Sequence, residues 1–317
     1  MNGGDGGNGH FGCEHFGRLR RVLLHRPGRA LELVNGRNCR SWLFDAPPDV
    51  GRFIDEHDRY RRLLGDHGVQ VLELSELVDD GVRAQIDRLP NLTYLHDVAA
   101  VSSKGAFLSA MAWPARRGEE LVLAEALRRL DIPVLTQFLP GRDAFEGCLL
   151  LSPRTLLVAR TQRHSRPSVA KFIPTALRYF DQVIEVDVPP ARRYMHPDTI
   201  YNRLREDLAL AYLPAFGRCR LHDGKTVREI DFERHMASEG VRIVHVSDSE
   251  QRRLACSFVP LEPGVIFHYD TALDGSTRRL LGRRGVELLL FHPQAMVAGG
   301  GSLRCLTLRL WRSPKAA

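Results

Sequence analysis

Cys305 follows the run Ala298-Gly299-Gly300-Gly301 near the end of the chain and leads into the apolar stretch LTLRLW. Glycines there permit backbone angles closed to other residues and let a ligand approach the main chain. A thiol after such a loop is either a small buried hydrophobe or a nucleophile. A nucleophilic cysteine acts as thiolate and needs a neighbouring acid/base to move its proton. His196, in MHPDTIYN, can fill that role near neutral pH. Three carboxylates share the strand-end positions: Asp97 in PNLTYLHDVAAV, Glu146 in DAFEGCLLL, and Asp198. Singly, each residue has a structural explanation. Asp97 could cap a turn, His196 could be a satisfied core histidine, Asp198 could form an Asx turn beside Pro197, and Glu146 could face solvent. Together they describe a site. Carboxylates around a thiol raise its pKa, which does not suit a general cysteine protease. They do suit a cationic substrate, above all a planar guanidinium, whose fixed fork of donors carboxylates grip bidentately. The substrate's own charge would then favour the thiolate.

These residues need elements to hold them, and the chain supplies a recurring pattern. A strand over 19–27 (LRRVLLHRP) is stopped by Pro27 and Gly28. A helix follows over 49–68, with Val50, Phe53, Ile54, Tyr60, Leu63 and Leu64 at helical spacing and Gly68 as its stop; a strand covers 69–74. The theme returns as AFLSA, a helix over EELVLAEALRRLD and a strand over IPVLTQFL. It returns again as a hairpin over 148–160 turning at Ser152-Pro153, the helix SVAKFIPTALRYF and the strand QVIEVDV. DLALAYL, DFERHMASEG and VRIVHVS form a fourth round. GVIFHYD, TRRLLGRRG, VELLLFHP and the closing strand RCLTLRLW form a fifth. Strand–helix alternation predicts an α/β protein. No G-x-G-x-x-G or P-loop follows any strand, which disfavours a nucleotide-binding sheet.

Composition narrows the class. The chain has 317 residues, of which 44% are hydrophobic and 26% charged, as in a soluble globular protein. The stretch MNGGDGGNGH reads as part of a disordered Gly-rich leader over 1–16, with a single catalytic domain over 17–317. No apolar run approaches a membrane span. The six cysteines are scattered, without a C-x-x-C pair, which predicts reduced thiols in a cytoplasm. The net charge is +7, yet the 45 basic residues are spread along the chain, and only four of them are lysine. No basic run or nucleic-acid motif appears, so no nucleic-acid partner is expected. Cys13 and His15 lack a second ligand pair, so no metal is expected.

Several of these segments, in order, resemble the guanidino-group-modifying superfamily, and most closely the arginine deiminases. GRLRRVLLHRPGRAL is similar to that family's opening strand, and SWLFDAPPDVGRFIDEHD to its L-F-D-D-I-P segment followed by E-H-D. PNLTYLHD stands where the family has P-N-L-Y-F-T-R-D, and MAWPARRGE where it has M-R-W or M-R-Y and P-x-R-R. FEGC replaces E-G-G-D, MHPDTIYN is similar to M-H-L-D-T, and GGGSLRCLTLRL to G-G-G-G-P-R-C-M-S-M-P-L. The resemblance runs from Gly17 to about Arg312. It implies a five-bladed α/β propeller of ββαβ modules, the pentein fold, with the site in the central channel.

By the same resemblance, Cys305 attacks the guanidinium carbon to give a covalent amidino-thioether. His196 protonates the departing nitrogen and then activates water. Asp97 and Asp198 hold the guanidinium nitrogens, and Glu146 supports His196. Asn91, Arg116 and Arg163 fall where the deiminases bind the α-carboxylate. The partner implied is a small guanidino molecule, arginine or a derivative, with no cofactor; a homo-oligomer is compatible with the sequence. The expected activity is hydrolysis to a citrulline-type urea and ammonia. One alternative is an amidinotransferase, in which an amine intercepts the intermediate. Another is a non-enzymatic metabolite-sensing propeller.

The chain also departs from the family pattern. The helical insertion before P-N-L is missing, Gly-Asp has become Cys148-Leu149, and the M-R-W arginine is Ala112. The glycine loop lacks the arginine often found there, which predicts a looser pocket or a substrate other than free arginine.

Overall fold

In the computed structural model, residues 10–314 are described. One local order recurs along the chain: a strand, an antiparallel partner, a helix, and a strand parallel to its predecessor. It appears most plainly in Val259–Glu262, Val265–Tyr269, the helix Gly275–Arg283 and Glu287–Phe291. It recurs in Tyr201–Arg205, Leu208–Ala211, the helix Phe232–Ser238 and Arg242–His245. Leu149–Leu150, Thr155–Arg160, the helix Arg166–Ala176 and Gln182–Asp187 repeat it. Ala99–Ser102 and Gly105–Leu108 form a hairpin ahead of the helix Glu119–Arg129. In the remaining sheet, Leu19–Leu24 lies between Gln70–Glu73, parallel to it, and Leu308–Arg312, antiparallel to it. The protein is therefore α/β, with five separate sheets among the described residues.

The helix Val50–Asp66 shows how local sequence builds the framework. The Asp49 side chain accepts from the Arg52 N–H and so caps its first turn. Phe53, Tyr60 and Leu64 recur on one face and are fully buried, each burial stabilising the fold by about 1.5–3 kcal/mol. Two residues of this helix reach the end of the chain. Tyr60 Oη lies 2.7 Å from Thr307 Oγ1, two residues past Cys305. The buried Glu56 carboxylate accepts the backbone N–H groups of Gln294, Ala295 and Met296 at 2.9–3.0 Å, fixing the approach to the glycine run.

Several expectations change. The strand expected over 132–139 is reduced to one parallel bridge, Ala106 to Val134. Pro133 has no N–H to offer a ladder. Cys305 does not lie on the closing strand: Leu303–Leu306 forms a helical turn, and the strand begins at Leu308. An unexpected hairpin, Cys219–His222 with Val227–Ile230, extends the third-round sheet. A short helix, Asp80–Ile86, stands where the deiminases' helical insertion is missing. Of the leader expected over 1–16, residues 1–9 lie outside the described residues. Further on, Gly12 donates to Leu310 O and Cys13 to Val101 O, and both Glu14 carboxylate oxygens accept from Ser103 N. Among the described residues, no helix is long and apolar enough to cross a membrane.

Buried histidines give the fold a pH dependence. Burial pushes His57, His164 and His268 down to about 4 from an ordinary 6.5. The unfolded chain takes up these protons near pH 6.5, whereas the folded chain refuses them until about pH 4. Stability is thus fully present above pH 6.5 and declines towards pH 4, by up to about 3 kcal/mol per histidine. Melting curves between pH 7 and pH 4.5 should show a falling midpoint. A flat profile would contradict the neutral state of these three rings.

Candidate active site

Ser302 sets the position of Cys305. Its side chain caps the turn Leu303–Leu306, accepting from the Cys305 N–H at 3.3 Å, and lies 3.4 Å from Sγ. Ser302 Oγ donates to Ser257 Oγ at 2.8 Å, and Ser257 Oγ donates to Asp198 Oδ2 at 2.8 Å. This hydroxyl chain ties the turn carrying Cys305 to a buried carboxylate. Burial pushes the Cys305 thiol up, and the Asp198 and Asp97 carboxylates push it the same way, to about 12. In the free protein the sulfur is therefore held as thiol.

His196 stands between two acids. Its Nε2 lies 3.1 Å from Glu146 Oε2, within hydrogen-bond geometry. Its Nδ1 lies 3.2 Å from Asp97 Oδ1, a close charge contact that is poorly aligned for a hydrogen bond. Glu146 is fully buried, and its other oxygen accepts from the Ala112 N–H at 2.9 Å. Burial pushes the Glu146 carboxyl up, but His196, Arg163 and Arg116 outweigh it and hold the group at about 2.

The three expected substrate-binding residues all border the same cavity as Cys305, His196 and Asp97. Their present partners differ from a substrate carboxylate. Arg116 donates to both Glu119 oxygens, to Asp97 Oδ2 at 2.9 Å and to Tyr94 O. Arg163 Nη1 lies 3.2 Å from Glu146 Oε2, and Asn91 Nδ2 donates to Trp42 O. Glu146 and Asp198 do not line the cavity; they lie behind His196 and Cys305. Cys148, in place of the family glycine, packs in an apolar cluster with Phe107 and Phe145.

The glycine run answers to one tyrosine. A Cβ on Gly299 would meet Tyr94 Oη at 1.6 Å, and one on Gly301 would meet its Cε1 at 2.4 Å. Gly300 has φ +71°, and a Cβ there would lie 2.5 Å from Asp45 Oδ2. Any side chain in the loop would displace this wall. Tyr94, Ser257, Ser302 and Glu119 were not singled out from the sequence. Ser302 carried a readable signal, a serine three residues before Cys305 in N-cap spacing. Glu119 pairs with Arg116 only three residues away, whereas Tyr94 and Ser257 act through residues distant in sequence.

The cavity has a volume of about 30 Å³, room for about one or two waters. It shares Arg192, Met195, Gly300 and Gly301 with a larger recess of about 460 Å³ that opens beside it. A thiol, an imidazole between two acids, and buried carboxylates around a small polar cavity can attack and protonate a planar cation.

Known proteins share this framework. A profile of the arginine deiminase family matches residues 79–312. The arginine deiminase of Mycoplasma capricolum is 23% identical, covering 94% of this chain and 96% of that protein. That of Mycobacterium tuberculosis is 26% identical, covering 94% and 97%. Among solved structures, unliganded AgrE aligns with TM-score 0.71 at 20% identity over 93% of this chain, which spans only 40% of the AgrE chain. The N-terminal domain of ArgZ, a cyanobacterial arginine dihydrolase bound to substrate, aligns with TM-score 0.69 at 17% identity, covering 92% and 98%. DDAH from Pseudomonas aeruginosa, complexed with citrulline, aligns with TM-score 0.67 at 15% identity, covering 92% and 99%. These neighbours carry the pentein fold of the guanidino-modifying enzymes, and the profile match spans most of the chain. The protein belongs to the arginine deiminase family.

Proposed function

We propose that this enzyme hydrolyses the guanidino group of arginine or an arginine derivative, giving a citrulline-type urea and ammonia. The observation that carries this reading is His196, held between Glu146 and Asp97 on the cavity that Cys305 also lines. The five sheets close into a five-bladed propeller around that cavity, in a single catalytic domain over 17–317. The six free, buried cysteines support a reducing, cytoplasmic setting.

In this mechanism, the substrate guanidinium takes over the place that Arg116 Nη1 now holds on Asp97 Oδ2. An arginine side chain already rests there, so the carboxylate is positioned for that group. Asp198 acts from behind Cys305, its negative charge favouring a cation in the cavity without touching it. The incoming positive charge offsets the two carboxylates that hold the thiol protonated, and Cys305 passes its proton to His196 as substrate binds. The thiolate then forms a C–S bond to the guanidinium carbon. The C–N bond breaks as His196 delivers a proton to the nitrogen, which leaves as ammonia. Water enters, gives a proton to His196 and attacks the amidino carbon. The C–S bond breaks, and the urea product departs from the restored cysteine. Asn91 and Arg163 orient the remote end of the substrate.

Incubation with arginine, methylated arginines and agmatine, with and without an added amine, tests the reaction by mass spectrometry. Ammonia and a urea product are expected. Ornithine with a new guanidino compound would overturn hydrolysis in favour of amidino transfer.

The protonated resting thiol has its own signature. At pH 7 a cationic, amidine-bearing alkylator should label Cys305 at least about tenfold faster than neutral iodoacetamide, because it carries charge to Asp97 and Asp198. Iodoacetamide labelling should rise steeply towards pH 10. Equal rates for the two reagents would contradict substrate-assisted ionisation.

A further inference from the structure

A second cavity, also about 30 Å³, shares no lining residue with the candidate active site, yet Arg304, the neighbour of Cys305, lines it. Arg309 and Arg312 line it as well. Arg304 is 2% and Arg312 4% exposed. Such burial requires compensation, because an unpaired charge taken from water costs several kcal/mol. The described residues supply little. Arg312 donates only to the carbonyls of Gly17, Leu261 and Pro260. Arg304 has one carboxylate near it, Asp198, at 3.4 Å and outside hydrogen-bond geometry. Arg309 has no ion pair or side-chain hydrogen bond among the described residues, and its Nε is buried.

The other lining groups redress this only in part, since Glu14 brings a carboxylate but pairs with none of the three arginines among the described residues. Both oxygens of Glu14 accept from Ser103 N–H. Glu262 is 44% exposed and lies 3.9 Å from Arg18. Cys13 brings no charge, since burial pushes its thiol up to about 11. Burial likewise pulls Arg304 down to about 9 and Arg312 to about 10. The cavity thus gathers three guanidinium groups, those of Arg304 and Arg312 buried and that of Arg309 partly so, with two buried N–H donors, Arg304 Nε and Arg309 Nε, outside hydrogen-bond geometry with any acceptor among the described residues.

We propose that this cavity binds one small monovalent anion of halide size, held by the guanidinium groups of Arg304 and Arg309. Its volume of about 30 Å³ accommodates a single atomic ion without any side chain moving. The ion adds to the counter-charge that Asp198 and Glu14 supply there only in part. This assignment does not depend on the reaction proposed above.

Melting of the whole protein in sodium chloride and in sodium gluconate, at matched ionic strength, tests it. Gluconate is too large to enter. Chloride should raise the midpoint by about 3 °C relative to gluconate, since an ion that binds only the folded state stabilises it. Arg309→Gln should abolish that difference. Bromide-soaked crystals of the unaltered protein provide a readout that needs no variant, with an anomalous peak expected between Arg304 and Arg309. The proposal is overturned by coincident chloride and gluconate curves, or by a difference that survives Arg309→Gln. A larger shift with phosphate than with chloride would refute the size assignment. A cavity without a bromide peak, or one filled by a carboxylate of the chain itself, would refute the site.

Discussion

Cys305→Ala is expected to lower kcat by at least about 10⁴-fold while moving the melting midpoint by no more than about 2 °C. The catalytic loss follows from the proposed chemistry, since no other thiol lines the cavity. The small structural effect follows from the surroundings. Cys305 Sγ faces Ser302 and Ser257 at 3.4 and 3.9 Å, and the cap on the turn uses the backbone N–H, which alanine retains. Steady-state turnover of a guanidino substrate, alongside calorimetry, checks both halves. An alanine variant that keeps wild-type turnover would remove the nucleophile from the mechanism. One that unfolds would instead assign the thiol to packing.

Glu146→Gln is expected to reduce both activity and stability. The Glu146 carboxylate is the shared partner of Arg163 at 3.2 Å and His196 at 3.1 Å, with Arg116 at 3.8 Å. Removing its charge leaves buried cations facing a neutral amide, a change that costs about 3 kcal/mol when a buried pair is broken. It also releases the imidazole from its only well-aligned partner, so kcat should fall by about 10²- to 10³-fold. Because the folded carboxyl is held at about 2 against an ordinary 4.5, its stabilisation is present above pH 4.5. It declines as the pH falls towards 2. Urea unfolding of parent and variant at pH 7 and pH 3 should show the gap narrowing on acidification. A constant gap would mean that the carboxylate's charge is not what the neighbouring arginines require. Combining Glu146→Gln with Arg163→Met should recover stability without recovering turnover, separating the two roles.

The sequence reveals the repeating order of elements well wherever apolar periodicity is strong. The helix expected over 49–68 forms as Val50–Asp66, and the strands around 69–74 and 182–188 form close to their expected bounds. It reveals less where local chemistry competes. Pro133 leaves a strand reduced to one bridge, and Ser302 winds Cys305 into a turn that apolar alternation alone reads as strand. The hairpin Cys219–His222 with Val227–Ile230 carries only a two-residue alternation, Cys219 and Leu221 inward, too short to mark a strand by itself, although Asp223-Gly224 at its turn is a readable signal. At the site, residue types and motif order bring Cys305, His196 and Asp97 to one cavity. They do not convey that Arg116 pairs with Asp97 and Arg163 with Glu146, or that Ser257 links Asp198 to the turn carrying Cys305. Those links join residues 17 to 59 positions apart, and no local pattern encodes them.

The pairing of Leu19–Leu24 with Leu308–Arg312 has a consequence for biosynthesis. On the ribosome, the first strand emerges long before its antiparallel neighbour and waits with an open edge throughout translation. A variant lacking Leu308–Arg312 leaves this edge of Leu19–Leu24 unpaired, which predicts a protein prone to edge-to-edge association.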